Sequence, residues 1–295
     1  MALHIPPRVR RIVGATAALL AVLLLAGATY QGVATALDRR QFRRPGGLVD
    51  VGGHQLHIYC GGEGSPTVVL EAAAGSMSAA WGWVQPAITR TTRVCSYDRA
   101  GLGWSEAGEA GYLPERVPEE LRALLNQANE HGPFVIVGHE LGADFARLFA
   151  ARYGAETAAI ILIDDPVAGQ PVTPGTTSVS AWPWLARAGI LRATGGLSTH
   201  ATGLPAESGG AMRAFLNRPD HLTRSAMEVS RLAEATAAAL AAHIDPAIVV
   251  TDVVMGRHEQ PALLVTAEDG AMVARAIEAT VARLREKGAS SSPER

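Results

Sequence analysis

Two hundred and ninety-five residues, 48% of them hydrophobic, are enough to bury a full core. Setting aside an N-terminal segment leaves about 250, the size of one α/β domain with an insertion. The formal net charge is −2 and no basic stripe is interleaved with aromatics, which excludes nucleic acid as a partner class.

Residues 1–45 form a separate object. Arg8, Arg10 and Arg11 precede an uncharged run over 12–37, centred on AALLAVLLLAGA. A membrane span needs about 20 apolar residues and a signal-peptide core 7–15, so the run predicts a retained membrane helix. Ala26-Gly27-Ala28 also fits an A-x-A cleavage site, which leaves secretion after cleavage as the alternative. Arg39, Arg40, Arg43 and Arg44 follow the run, so flanking charge does not fix its orientation.

Beyond Pro45-Gly46-Gly47, strands at 48–51 and 55–60 flank Gly52-Gly53 and read as a hairpin. Thr67–Glu71 is a short apolar strand, and 92–97 is another that runs into the loop DRAGLGWSE. Leu121, Leu124 and Leu125 give residues 118–130 a helical period. A strand at 134–137, a helix over 141–153 and a buried strand, AIILI, at 159–163 follow. A hairpin followed by strand–helix alternation predicts an α/β fold with a mostly parallel, doubly wound sheet. From 166 to about 210 the composition turns to Pro, Gly, Ser and Thr, and helical patterns follow at 211–217 and 223–243, as in an inserted helical cap. Strand pattern returns at 261–266 and helix pattern at 271–287. The expected division is an anchor and linker over 1–45, core over 46–165, cap over 166–245, core again over 246–288, and a frayed tail over 289–295.

The stretch VIVGHELGADFARL admits two chemistries. His139-Glu140 resembles the start of H-E-x-x-H, but position 143 is alanine, so two histidines cannot share a helix face and no metal is expected. Gly138-x-Glu140-x-Gly142 has the frame of the G-x-S-x-G nucleophile elbow, with strand before and helix after, and glutamate in the serine's place.

With those residues in view, the chain resembles the α/β-hydrolase family, in particular membrane-anchored bacterial members. VDVGGHQLHIYCGGEGSPTVVLEA, RVCSYDRAGLGWSE and GPFVIVGHELGADFARLFAARY carry the resemblance over about 48–166, and PALLVTAED resumes it. It implies a cap over the site and hydrolysis of esters or related bonds by a Ser–His–acid triad, without cofactor. Carried over, the nucleophile position is Glu140 and the acid Asp269, with Glu268 as alternative. The oxyanion hole falls on the N–H of Leu141 and one near Ala73. No histidine follows His258, which precedes the 261–266 strand, so the triad is broken twice. The sheet order implied by the fold makes the strands of Cys60 and Cys95 neighbours, and either a disulfide or two buried thiols fits. A bridge places the domain on the extracytoplasmic side.

An ordinary glutamate is anionic near pH 7. At a helix N-terminus its oxygens are expected to sit among the free N–H groups. The leading expectation is a catalytically degenerate hydrolase that binds an apolar small molecule or a partner under its cap. The alternative is an active hydrolase of ester-like substrates that uses Glu140, assisted by Asp269 and one of the cap histidines, His200, His221 or His243. A decayed chain with neither property is the third reading. Trp81, Trp83, Trp182 and Trp184 are expected to line core or cap, Asp98-Arg99 to fix a loop, and Asp144 to place a second carboxylate near Glu140.

Overall fold

A computed structural model describes residues 6–108, 111–165, 180–255 and 266–290. A 35-residue helix, α1 (Pro7–Gln41), precedes the domain. It is long and apolar enough to cross a membrane. Seven strands follow: β1 (Gly47–Asp50), β2 (Gln55–Gly61), β3 (Thr67–Glu71), β4 (Val94–Tyr97), β5 (Phe134–His139), β6 (Thr157–Ile163) and β7 (Val249–Val253). They form one sheet in the order β1-β2-β4-β3-β5-β6-β7. The β1–β2 and β2–β4 pairs are antiparallel and the other four are parallel.

The central strands are covered on both faces, which is why TVVLE and FVIVGH are continuous apolar runs rather than alternating ones. On one face Val69, Ile136 and Ile160 meet Leu121 and Leu124 of α3 (Val117–Gln127) and Phe149 of α4 (Leu141–Arg152). On the other, Val68, Val135 and Ile161 meet Ile88 of α2 (Gln85–Ile88) and Val273, Ile277 and Val281 of the last helix. Among the described residues between β6 and β7, five α-helices form the cap: α5 (Trp182–Arg187), α6 (Ile190–Thr194), α7 (Ala206–Leu216), α8 (Pro219–Ser230) and α9 (Leu232–Ala241). The last helix, α10 (Ala267–Ser290), closes the fold.

The helix anticipated over 223–243 is two helices broken at Arg231. A strand not anticipated, Val249–Val253, ends the sheet among the described residues and is exposed at alternate positions, so it lacks the continuous apolar run used to find its neighbours. The strand expected at 261–266 falls almost wholly outside the described residues. Cys60 and Cys95 face each other across β2 and β4 and are disulfide-bonded.

Candidate functional site

The site is built where β3, β5 and β6 end. Between β5 and α4 the chain reverses so sharply that Glu140 takes φ 49° and ψ −116°, outside the regions open to an ordinary side chain. The flanking glycines make the turn sterically feasible. A Cβ at Gly138 would lie 2.1 Å from the carbonyl oxygen of Gly142, and one at Gly142 would lie 2.3 Å from that of Glu71. The G-x-E-x-G frame is therefore a true elbow, with glutamate at its apex.

The elbow backbone is pinned by Glu140 N–H donating to Ile163 O at 2.9 Å and Ala143 N–H donating to Glu140 O at 2.8 Å. The Glu140 carboxyl makes no hydrogen bond or ion pair with any described residue, including the N–H groups at the start of α4. This corrects the expectation that its oxygens fill the oxyanion hole. It also corrects the expected charge. Burial, with a smaller contribution from the Asp164 charge, raises its pKa to about 7, so the group is only half ionised at neutral pH. The sequence-level estimate omitted both the burial and the neighbour, because neither can be read from a helix start.

Leu141, first in α4, and Ala73, in the loop after β3, are buried. Their N–H groups have no acceptor among the described residues. The Ala73 loop is held against α4 by Arg99, whose guanidinium donates to Ala72 O at 2.7 Å and Ala73 O at 2.8 Å. Arg99 also bonds Glu71 at 2.6 Å and, through two parallel bonds of 2.8 Å, Glu228 of α8. All three side chains are buried. Burial pushes both carboxyls up. In Glu71 it outweighs Arg99, whereas the doubly bonded Glu228 is held below its usual value. One arginine thus ties cap to core directly beneath the elbow loop.

Asp98 is likewise structural. Its carboxylate lies 2.9 Å from His57 Nδ1, both fully buried, and accepts from the N–H groups of Ser78 and Trp104. Asp98 and Arg99 do fix the DRAGLGW loop, but each through its own partners. Sequence reasoning missed Glu71, Glu228 and His57 as those partners, because the contacts span up to 129 residues and no local spacing encodes them.

Asp269 lies in the first turn of α10, where its carboxylate bonds the Thr266 hydroxyl at 2.5 Å and Thr266 in turn caps its N–H. The carboxylate whose charge reaches Glu140 is Asp164, which follows β6 with φ 46°. Asp144, one helical turn beyond Glu140, accepts from Thr236 at 2.7 Å, and burial raises its pKa to about 6. Its neighbour Arg147 is paired with Asp165.

None of the seven described histidines bonds Glu140. His221 of the cap is fully committed elsewhere: Nδ1 accepts from Gly103 N–H at 3.1 Å and Nε2 donates to Gly75 O at 3.0 Å. Burial lowers its pKa to about 4, so it stays neutral. His139 is buried in β5, His200 lies half-buried in the cap, and His243 is exposed. His258 falls outside the described residues.

A cavity of about 330 Å³ lies between cap and core, walled by Phe42, Tyr59, Trp81, Trp104 and Ala211. Glu140 does not line it. Trp81 is buried as expected, but Trp184 is 71% exposed, which corrects its assignment to the core or cap interior.

No family model matches the chain. A protein of Gibberella zeae named as an AB hydrolase superfamily protein is 36% identical over 90 residues, 30% of this chain and 27% of that one. An uncharacterised vacuolar membrane protein of Saccharomyces cerevisiae is 33% identical over 117 residues, 34% of this chain and 18% of that one. The matches thus span well under half the length of these relatives. Among solved structures, the epoxide hydrolase CorEH superposes with a TM-score of 0.63 at 17% identity, covering 81% of this chain and 98% of that one. Strand order, elbow and these likenesses agree: the chain has the α/β-hydrolase fold.

Proposed function

We propose that this is a membrane-anchored α/β-hydrolase-fold protein that has lost hydrolytic turnover and binds an apolar small molecule beneath its cap. The observation that carries this reading is Glu140: the elbow is intact, but its side chain lacks a histidine partner among the described residues. A serine elbow works because a histidine takes the hydroxyl proton during attack. A carboxyl with a pKa near 7 is a weaker nucleophile than a fully ionised one, and any ester it formed would need a base to activate water. Glu140 also reaches one methylene further than aspartate, and a misplacement near 1 Å costs about 100-fold. Leu141 and Ala73 retain the oxyanion-hole positions in this reading, and Asp269 pairs with Thr266, which caps the last helix.

The cavity between cap and core supports ligand binding, since aromatic and apolar walls surround a few polar groups, including Ser78 and Gln85. The Cys60–Cys95 bridge supports an extracytoplasmic domain, and α1 supports retention at the membrane.

A second reading has its own observation. Glu140 titrates near neutrality beside Asp164, and groups so tuned are the ones used in acid–base chemistry. Steady-state assay of the full chain on p-nitrophenyl esters and an aryl epoxide, beside Glu140→Gln, separates the two. No turnover by either protein supports the first reading. Turnover by the parent that is lost in Glu140→Gln establishes the second.

A further inference from the structure

The anchor and the cap are in contact, and the contact begins inside the apolar run. Along α1, residues 6–26 are exposed on every side. From Gly27 onward a stripe of Gly27, Gln31, Thr35, Asp38 and Phe42 is covered, at the i, i+4, i+7 or i+8 spacing of one helix face. At Gly27 two backbones touch: a Cβ there would lie 2.1 Å from Ala188 O. A Cβ at Gly189 would in turn lie 2.7 Å from Gly27 O. One turn later the Gln31 amide, 5% exposed, donates to Asn217 O at 2.6 Å and accepts from Arg192 at 3.0 Å. Asp38 pairs with Arg192 at 2.8 Å.

The depth of this contact follows from helix geometry. A hydrocarbon layer of about 30 Å takes about 20 residues at 1.5 Å each. If Arg11 marks one boundary, the other falls about 20 residues on, near Gln31, and Gly27 lies roughly 6 Å inside it. Because the apolar run extends to Leu37, shifting the span toward the domain places Gly27 deeper. The turn between α5 and α6, which touches Gly27, therefore sits within the outer edge of the hydrocarbon layer. Its outer side fits that setting: Trp184 is 71% and Ile190 44% exposed, and the Arg187 guanidinium lies 5.0 Å from the centre of the Trp184 ring. An exposed tryptophan beside an arginine is the composition of a membrane–water interface.

We propose that the α5–α6 turn of the cap is a second membrane contact, with Trp184 and Ile190 lying in lipid beside α1 and Arg187 reaching the phosphates. This rests on the reading of α1 as a retained anchor. It also makes the membrane, through Gln31, Asp38 and Arg192, a fixed support for the cap.

The test uses the full chain in phosphatidylcholine nanodiscs, with nitroxide-labelled cysteines introduced one at a time as Trp184→Cys, Ile190→Cys, Leu24→Cys and Leu240→Cys. Leu24 lies within the span, and Leu240 is an equally exposed apolar residue, 62% accessible, on cap helix α9. Relaxation by oxygen reports lipid, and relaxation by a water-soluble nickel chelate reports water. The expected result is an oxygen-to-chelate ratio at 184 and 190 several-fold above that at 240 and approaching that at 24. Ratios at 184 and 190 equal to that at 240, with 24 still in lipid, overturn the second contact and leave the anchor standing. Label at 24 in water overturns the anchor itself. Protection of 184 from both reagents puts protein against the turn and overturns the proposal as well.

Discussion

Replacing Glu140 by glutamine should stabilise the protein in alkaline but not in acid solution. The folded-state pKa of about 7 lies above the ordinary glutamate value of 4.5. Below 4.5 the carboxyl is protonated in both states and contributes no difference. As pH rises from 4.5 to 7 the unfolded chain releases its proton first, so the parent loses stability, and the loss levels off above 7. Two and a half pKa units at 1.36 kcal/mol each give about 3.4 kcal/mol in full, of which about 2.5 kcal/mol falls between pH 5 and pH 8. Partial solvent contact of the side chain lowers this toward about 2 kcal/mol. Urea unfolding of the parent and Glu140→Gln in mild detergent, followed by tryptophan fluorescence at pH 5, 6, 7 and 8, measures the difference directly. Asp144 titrates in both proteins and cancels. The gap should widen by about 2 kcal/mol across that range and shrink when Asp164→Asn is introduced into both. A gap constant from pH 5 to pH 8 would refute the claim that burial and Asp164 raise the Glu140 pKa.

Other consequences concern the framework around the elbow. His221, neutral in the fold with a pKa of about 4 against 6.5 ordinarily, should make the parent lose roughly 3 kcal/mol as pH falls from 6.5 to 4. His221→Gln should flatten that acid limb, even if it lowers stability at pH 7. Arg99→Met strands Glu71 and Glu228 in the interior and should cost about 3–5 kcal/mol, much of it recovered on adding Glu71→Gln and Glu228→Gln. Opening the Cys60–Cys95 bridge, which spans 35 residues, should cost about 3–4 kcal/mol by loop entropy, read as a lower urea midpoint after reduction. A medium-chain fatty acid, used as an apolar probe of the cavity, should raise the parent's melting temperature, and Ala211→Trp in the cavity wall should abolish that rise.

What was legible in the sequence was what local rules encode. Continuous apolar runs marked β3, β5 and β6 because those strands are buried on both faces. Gly138 and Gly142 marked the elbow because a side chain at either would collide with backbone. Neighbouring strands made a Cys60–Cys95 bridge geometrically reasonable but left two buried thiols open as well, and the structure has the bridge. The rest depends on distant parts of the chain meeting. Arg99 finds Glu228 across 129 residues, and Gln31 finds Asn217 across 186. No spacing rule reaches so far. The half-exposed β7 escaped notice because its alternation is short and carries Thr251 and Asp252. Trp184 was misplaced because hydrophobicity alone does not distinguish a buried tryptophan from one left exposed at the surface. The charge of Glu140 was misjudged for a related reason: a helix N-terminus favours an anion, but here burial and a second carboxylate outweigh it.

The most direct test of the central claim is a single-turnover measurement with the full chain in molar excess over p-nitrophenyl butyrate. The claim predicts p-nitrophenolate release at the buffer rate, the same for the parent and Glu140→Gln, from protein shown to be folded. Rapid release by the parent, absent in Glu140→Gln, would make Glu140 a working catalytic group and contradict it.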